Sequence, residues 1–383
     1  MPQERSNVAG STRRAVPLGL LGMLALVVLV EGGLAGRGDA IGDWMSLTWR
    51  SAGRWARGTE ARADLLCLGD SLIKEGVLPR VLGRGLGVSV YNLAIHGGSA
   101  PSSYFLLRRS LRNGARPRAV VVDFHPNLLA TAPRSSAPYW SDLVDARDAI
   151  DLGWNARDPD LFVRTVVFGL LPSLKNRDTI RADLSSAWRG GTPEGRGTCR
   201  ALARNFRENL GARVSPVTPP PADPEAYFRT LSDRGRWKPN PVNVAYMRRF
   251  FALAERSGVL VFWLLPPTSP AWQGRREKLG ADASYEALAR ALQAGYRNVV
   301  VVDGRFAGYG ASAFHDLTHL HVVGATELSE SLATSLSPYL APAPPVTATW
   351  AALPRFRGLP RGRLPEDLDQ SRIAVVEAGS LRR

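Results

Sequence analysis

Three side chains in this 383-residue chain have the types and the setting that acyl chemistry requires. Cys67-Leu-Gly-Asp-Ser-Leu72 stands where a short apolar run ends and helical residues begin. A serine there lies at a helix N-terminus, where free backbone N–H groups and the dipole favour an oxyanion. Gly69 permits a tight strand-to-helix turn, and Asp70 is placed to cap the helix. Taken alone, Gly69-Asp70-Ser71 equally describes an ordinary loop closed by capping residues. The far end of the chain supplies what a serine nucleophile lacks. Phe314-His-Asp-Leu-Thr-His-Leu320 contains a base, His319, and an acceptor to hold its tautomer, Asp316. An aspartate three residues before a histidine lets both side chains of one loop converge, carboxylate to Nδ1, with Nε2 left for Ser71.

Those residues need a frame that brings them to one edge. Five runs read as strands: Asp64–Leu68, Val88–Asn92, Ala119–Asp123, Val259–Leu265 and Asn298–Asp303. Their continuous β-branched and aliphatic character suits strands covered on both faces. Helical patterns lie between them at 103–112, 242–256, 284–294 and 322–336. The alternation predicts an α/β fold with a mainly parallel sheet. In such a sheet the loops after the first and fifth strands open on the same edge, where the sites of open α/β folds lie.

With these residues in view, the chain resembles the SGNH, or GDSL, hydrolase family. Gly69-Asp-Ser-Leu72 is similar to that family's first block, and Asp316-Leu-Thr-His-Leu320 to its last. The resemblance covers residues 63–127 and 241–341. It implies a three-layer sandwich with Ser71 as nucleophile, His319 as base and Asp316 as orienting acid. It also implies an oxyanion hole built from the Ser71 N–H, a glycine N–H and an asparagine side chain. The second and third blocks depart from the family pattern. Ala94 stands where a glycine is expected, so Gly97 or Gly98 is the candidate donor. Asp123-Phe-His-Pro-Asn127 replaces the third block, with Asn127 as the displaced donor and His125 as its rival.

The remaining chain divides into accessory segments. Residues 1–14 read as a short cytoplasmic tail and 15–36 as a transmembrane anchor, with a cleaved secretory signal as the alternative. Either outcome places the bulk of the chain outside the cytoplasm; the anchor makes it a single-pass membrane protein. Residues 37–62 read as a connector without clear periodicity. Residues 128–240 break the alternation and read as an insertion, either a subdomain or a lid. Its tryptophans suit a small local core or the stacking of sugar rings. Residues 342–383 read as a Pro/Arg-rich disordered tail. Lys+Arg 49 against Asp+Glu 34 gives a net charge of +15, and only four of the basic residues are lysine. The arginines are scattered, which speaks against a nucleic-acid interface. Two cysteines exclude a disulfide framework, and no spacing marks a metal or cofactor site.

The expected activity is hydrolysis of O-acyl, and foremost O-acetyl, esters on an extracytoplasmic glycan or small ester. Transfer of the same acyl group to a polysaccharide hydroxyl would use the same residues. A non-catalytic binding or scaffold protein that keeps the fold is the reading from another class.

Overall fold

The aliphatic runs form strands whose alternate side chains are buried on opposite faces of one sheet. The strands are β1 (Leu65–Leu68), β2 (Val90–Asn92), β3 (Ala119–Val122), β4 (Leu260–Leu265), β5 (Val299–Asp303) and β6 (Trp350–Ala352). They pair in the order β2-β1-β3-β4-β5-β6, all parallel. In this computed structural model, residues 18–36, 42–191, 194–219, 222–230, 237–341 and 349–358 are described.

Leu66, Leu68, Val120, Val122, Trp263 and Val301 face one core, shared with helices Ala100–Arg112, Pro241–Arg256 and Ala281–Gln293. Leu65, Cys67, Val121, Phe262, Leu264 and Val302 face the other. There the sheet meets helices Ser71–Gly76, Pro79–Leu86 and Val322–Leu340. The sheet is therefore the middle of three layers. From β1 the chain passes outward to β2 and returns to β3 on the opposite side of β1. That reversal opens a crevice at the carboxyl ends of β1 and β3.

All five expected strands and all four helices form, and two accessory segments differ from expectation. The connector is a helix, Trp44–Trp55, capped by Asp43 and packed into the main core through Trp49 and Ala52. Its buried face also carries Ser46, Thr48, Ser51 and Gly53, so hydropathy shows no period. The domain boundary consequently lies before Trp44 and not at residue 63. The tail contributes β6, parallel to β5, then buried Leu353 and half-buried Phe356, whose ring lies 4.4 Å from that of Tyr309. Residues 342–348 and 359–383 fall outside the described residues, as do 1–17.

The insertion is helical. Its helices include Ala137–Leu143, Ala146–Ala156, Pro159–Leu170, Arg177–Trp188 and Glu194–Glu208. Asp145 and Asp158 cap two of them by accepting backbone N–H bonds from Asp148 and Leu161. Its tryptophans divide by role: Trp140 is fully buried in the main core, whereas Trp154 and Trp188 are exposed. The N-terminal helix Leu18–Gly36 is long and apolar enough to be a membrane span or a signal sequence.

Candidate active site

Ser71 opens its helix directly after β1. Asp70 is the cap, its carboxylate accepting the Leu72 N–H at 2.7 Å. Asp70 is itself held from β3, because its N–H donates to Asp123 Oδ1 at 2.8 Å. Gly69 makes the turn at φ +123°, and a Cβ there would lie 1.9 Å from Asp123 Oδ1. Only glycine allows this approach of the two strand ends. Ser71 occupies the first helical position, so its N–H has no acceptor within the helix.

His319 and Asp316 lie on the loop between β5 and the Val322–Leu340 helix. An antiparallel bridge between Phe314 and Leu320 pinches this loop shut. Asp316 Oδ1 accepts the backbone N–H groups of Thr318 and His319, each at 2.7 Å. Its Oδ2 lies 2.7 Å from His319 Nδ1, and His319 Nε2 lies 2.8 Å from Ser71 Oγ. Hydroxyl, imidazole and carboxylate thus form one continuous hydrogen-bonded relay across 248 positions of sequence. His321, two residues on, faces elsewhere. Its Nδ1 accepts the N–H groups of Val323 and Gly324 and so caps the last helix.

Beneath the relay sits a residue that sequence analysis did not single out. Glu75 lies one helical turn after Ser71 and is buried. One of its oxygens meets His96 Nε2 at 2.9 Å and Arg213 Nη1 at 3.2 Å. The other meets His315 Nε2 at 2.9 Å and Ser215 Oγ at 2.7 Å. Burial alone would favour the neutral acid, but Arg213, His319 and these hydrogen bonds hold Glu75 well below the usual carboxylate range. Its charge is felt by His319. Burial lowers that imidazole, yet Glu75, Asp316 and Asp70 together lift it to about 9. His96 is pushed down to about 4 by burial, so it donates to Glu75 as a neutral ring. Arg213 and Ser215 come from the irregular stretch of the insertion that follows Glu194–Glu208 and runs between the Ser71 helix and the last helix. The Arg213 N–H bonds Lys74 O, and the Val322 N–H bonds Ser215 O, each at 2.8 Å.

The four expected oxyanion donors fare differently. The N–H of Ser71 is available. Gly98 is not, because its N–H donates to Ile95 O at 3.1 Å. Its lack of a side chain serves packing instead: a Cβ would lie 2.5 Å from Gly69 O. Gly97, at φ +66°, remains as the glycine candidate. Asn127 is exposed in the short helix Pro126–Ala130, with its backbone oxygen bonded to Thr131. Its rival His125 is buried and directed inward, Nδ1 lying 4.0 Å from Asp70 Oδ2. His125 Nε2 has no hydrogen-bond partner among the described residues. Burial, with Arg276 and His319 nearby, lowers His125 to about 3, so the ring is neutral. The proline at the first position of the helix turns Asn127 away, and the strand-end position falls to the histidine.

A cavity of about 450 Å³ adjoins the relay. Glu75, His96, Arg213, His315, Asp316 and His319 form its polar wall. Trp44 from the connector helix and Thr198, Ala201 and Leu202 from the insertion form the other. Trp44 meets His96 edge-on at 5.1 Å. A second cleft, of about 560 Å³, lies within the insertion beside Trp154 and Phe162, away from these groups. Ligand atoms of Glu75, His315 and His319 fall within 4.8 Å of one another, a metal-compatible set that no sequence spacing reveals. Each of the three already has a hydrogen-bonding partner in Ser71, Ser215 or its neighbours within the set. Cys67 is buried in β1, where burial pushes its thiol far up. Neither family models nor curated proteins match this chain.

Proposed function

We propose that the protein is a serine esterase of the SGNH type, acting on O-acyl esters of an extracytoplasmic glycan or small molecule. One observation carries this reading: Ser71 Oγ, His319 and Asp316 are joined at 2.8 and 2.7 Å beside an open cavity. That distance is within general-base reach. Neutral His319 takes the Ser71 proton as Oγ attacks the ester carbonyl carbon. The C–O bond to the alcohol then breaks, and His319 returns the proton to the leaving oxygen. Water, activated by the same imidazole, attacks the acyl-serine and releases the acid. The tetrahedral oxyanion is held by the Ser71 N–H, by Gly97 and by the neutral ring of His125 in place of an asparagine. Asp316 keeps His319 in the tautomer that presents Nε2, and Glu75 adds negative charge where imidazolium develops.

Replacement of Ser71 by alanine lowers hydrolysis of a short aryl acetate by on the order of 10⁴-fold or more. Turnover retained in S71A contradicts the assignment. Transfer to a sugar hydroxyl is the second reading, and the cavity favours it in one respect. Ala201, Leu202 and Trp44 give one wall an apolar lining, which disfavours water as the second nucleophile. Product analysis with an added oligosaccharide acceptor separates acylated sugar from free acid. The helix Leu18–Gly36 supports attachment to a membrane with the α/β body outside the cytoplasm.

A further inference from the structure

We infer that the helical insertion is seated in the lipid bilayer beside the N-terminal helix, with Leu170–Leu174 a few ångströms inside the headgroup–acyl boundary. The inference rests on reading Leu18–Gly36 as a membrane span. Nineteen residues at about 1.5 Å each extend about 28 Å, close to the thickness of a hydrocarbon core. Glu31 lies five residues before the end of that helix, so its carboxylate sits about 7 Å inside the outer boundary. A carboxylate at that depth requires a partner. Ser173 supplies one: its N–H donates to Glu31 Oε2 at 2.9 Å and its hydroxyl bonds Oε1. The turn carrying Ser173 therefore reaches the same depth as Glu31.

What surrounds Ser173 suits lipid. In Phe162-Val-Arg-Thr-Val-Val-Phe-Gly-Leu-Leu-Pro-Ser-Leu174 the only charge is Arg164. Val163, Leu170, Leu174, Leu184 and Trp188 are exposed, Leu170 at 69% and Trp188 at 93%. Arg177, Asp178, Arg181 and Asp183 interrupt this group between Leu174 and Leu184, so the apolar surface is centred on Val163, Leu170 and Leu174; apolar side chains this exposed mark a surface that meets something apolar. Arg164, which pairs with Asp160, and Arg189, which bonds Ser185 Oγ, have stems long enough to reach a phosphate layer from such a position. Tryptophan is the residue favoured at that boundary. The seat is also tied to the site. Lys175, one residue beyond Leu174, and Arg50 of the Trp44–Trp55 helix both pair with Asp142. Trp44 at the start of that helix lines the cavity beside His319.

The experiment uses the full chain in phosphatidylcholine–phosphatidylglycerol vesicles containing a bromine-labelled lipid. Single cysteines at Leu24, Leu174 and Phe306 carry an environment-sensitive fluorophore; native Cys67 and Cys199 are buried. L174C is expected to lose about half its fluorescence to the brominated lipid, as a side chain 5–10 Å into the boundary does, alongside L24C, while F306C is unaffected. L24C quenched with L174C behaving like F306C overturns the inference and leaves the anchor standing. Neither L24C nor L174C quenched overturns both. An unquenched L174C that cross-links to a second copy assigns the face to self-association instead, which also overturns it.

Discussion

His319 is surrounded by Glu75, Asp316 and Asp70, and their charges outweigh the burial that would otherwise keep it neutral. A base must be neutral to accept a proton, and a value lifted to about 9 puts most of His319 in the charged form at neutral pH. We expect kcat/KM for an aryl ester to rise about 50-fold between pH 7 and pH 9, following the neutral fraction of one imidazole. Glu75→Gln keeps the shape but removes the charge, and moves that rise about one unit to lower pH. A profile already flat above pH 7, or one unmoved in the variant, contradicts this account of Glu75. His125 makes a second residue-scale claim. His125→Ala should lower kcat by about 10²–10³ with KM little changed, the cost of losing one oxyanion donor, while Asn127→Ala leaves kcat intact. The reverse pattern would restore Asn127 to the role that the family resemblance suggested. Ser71, His319 and Asp316 were legible because a serine after an apolar strand and an Asp-x-x-His loop each carry a chemical signature. Glu75 and Arg213 carry none: they are common residue types 138 positions apart, and only the fold joins them.

At the scale of elements, the short Ser71–Gly76 helix is clamped from several directions. Asp123 holds its cap from β3, Ser215 and Arg213 grip Glu75, and the last helix packs along it. The clamp includes an unfavourable member. Lys74 is fully buried with Nζ lacking a hydrogen-bond partner among the described residues, facing the rings of Phe206 and Trp55 at 4.5 and 5.3 Å. Burial lowers its ammonium to about 7. Because the folded value lies below the unfolded one, the unfolded chain binds more protons between pH 7 and 10.5, and stability rises across that window. Lys74→Met removes the burdened group. It should stabilise the fold by about 2–4 kcal/mol at pH 7, with the gain shrinking toward pH 10. Equal melting temperatures for the two proteins at pH 7 would contradict the burial argument. Elements also show where sequence patterns run out. Strands β1, β3, β4 and β5 were legible as continuous apolar runs, and β2 from Val88, Val90 and Tyr91. The Trp44–Trp55 helix was not, since it buries serine, threonine and glycine along with Trp49. Nor was β6, three residues whose pairing depends on β5 and not on their own pattern.

For the molecule as a whole, a parallel sheet with helices on both faces gathers the reactive groups at the crevice between β1 and β3. Segments outside the α/β frame then complete the cavity: the connector helix brings Trp44, and the insertion brings Leu202 and Arg213. The scatter of the arginines along the sequence speaks against a nucleic-acid interface, but no pattern in the sequence shows that the insertion forms a wall of the cavity, because such placement is a property of long-range packing. In the proposed reaction, the choice between water and a sugar hydroxyl as second nucleophile depends on that wall. Both outcomes require Ser71 to be a nucleophile, and a non-catalytic protein of the same fold does not. Reaction of the full chain with a fluorophosphonate, followed by peptide mass spectrometry, tests this directly. A single modification on Ser71, lost in His319→Ala, is expected; an unmodified Ser71, or labelling indifferent to His319, would contradict a nucleophilic Ser71.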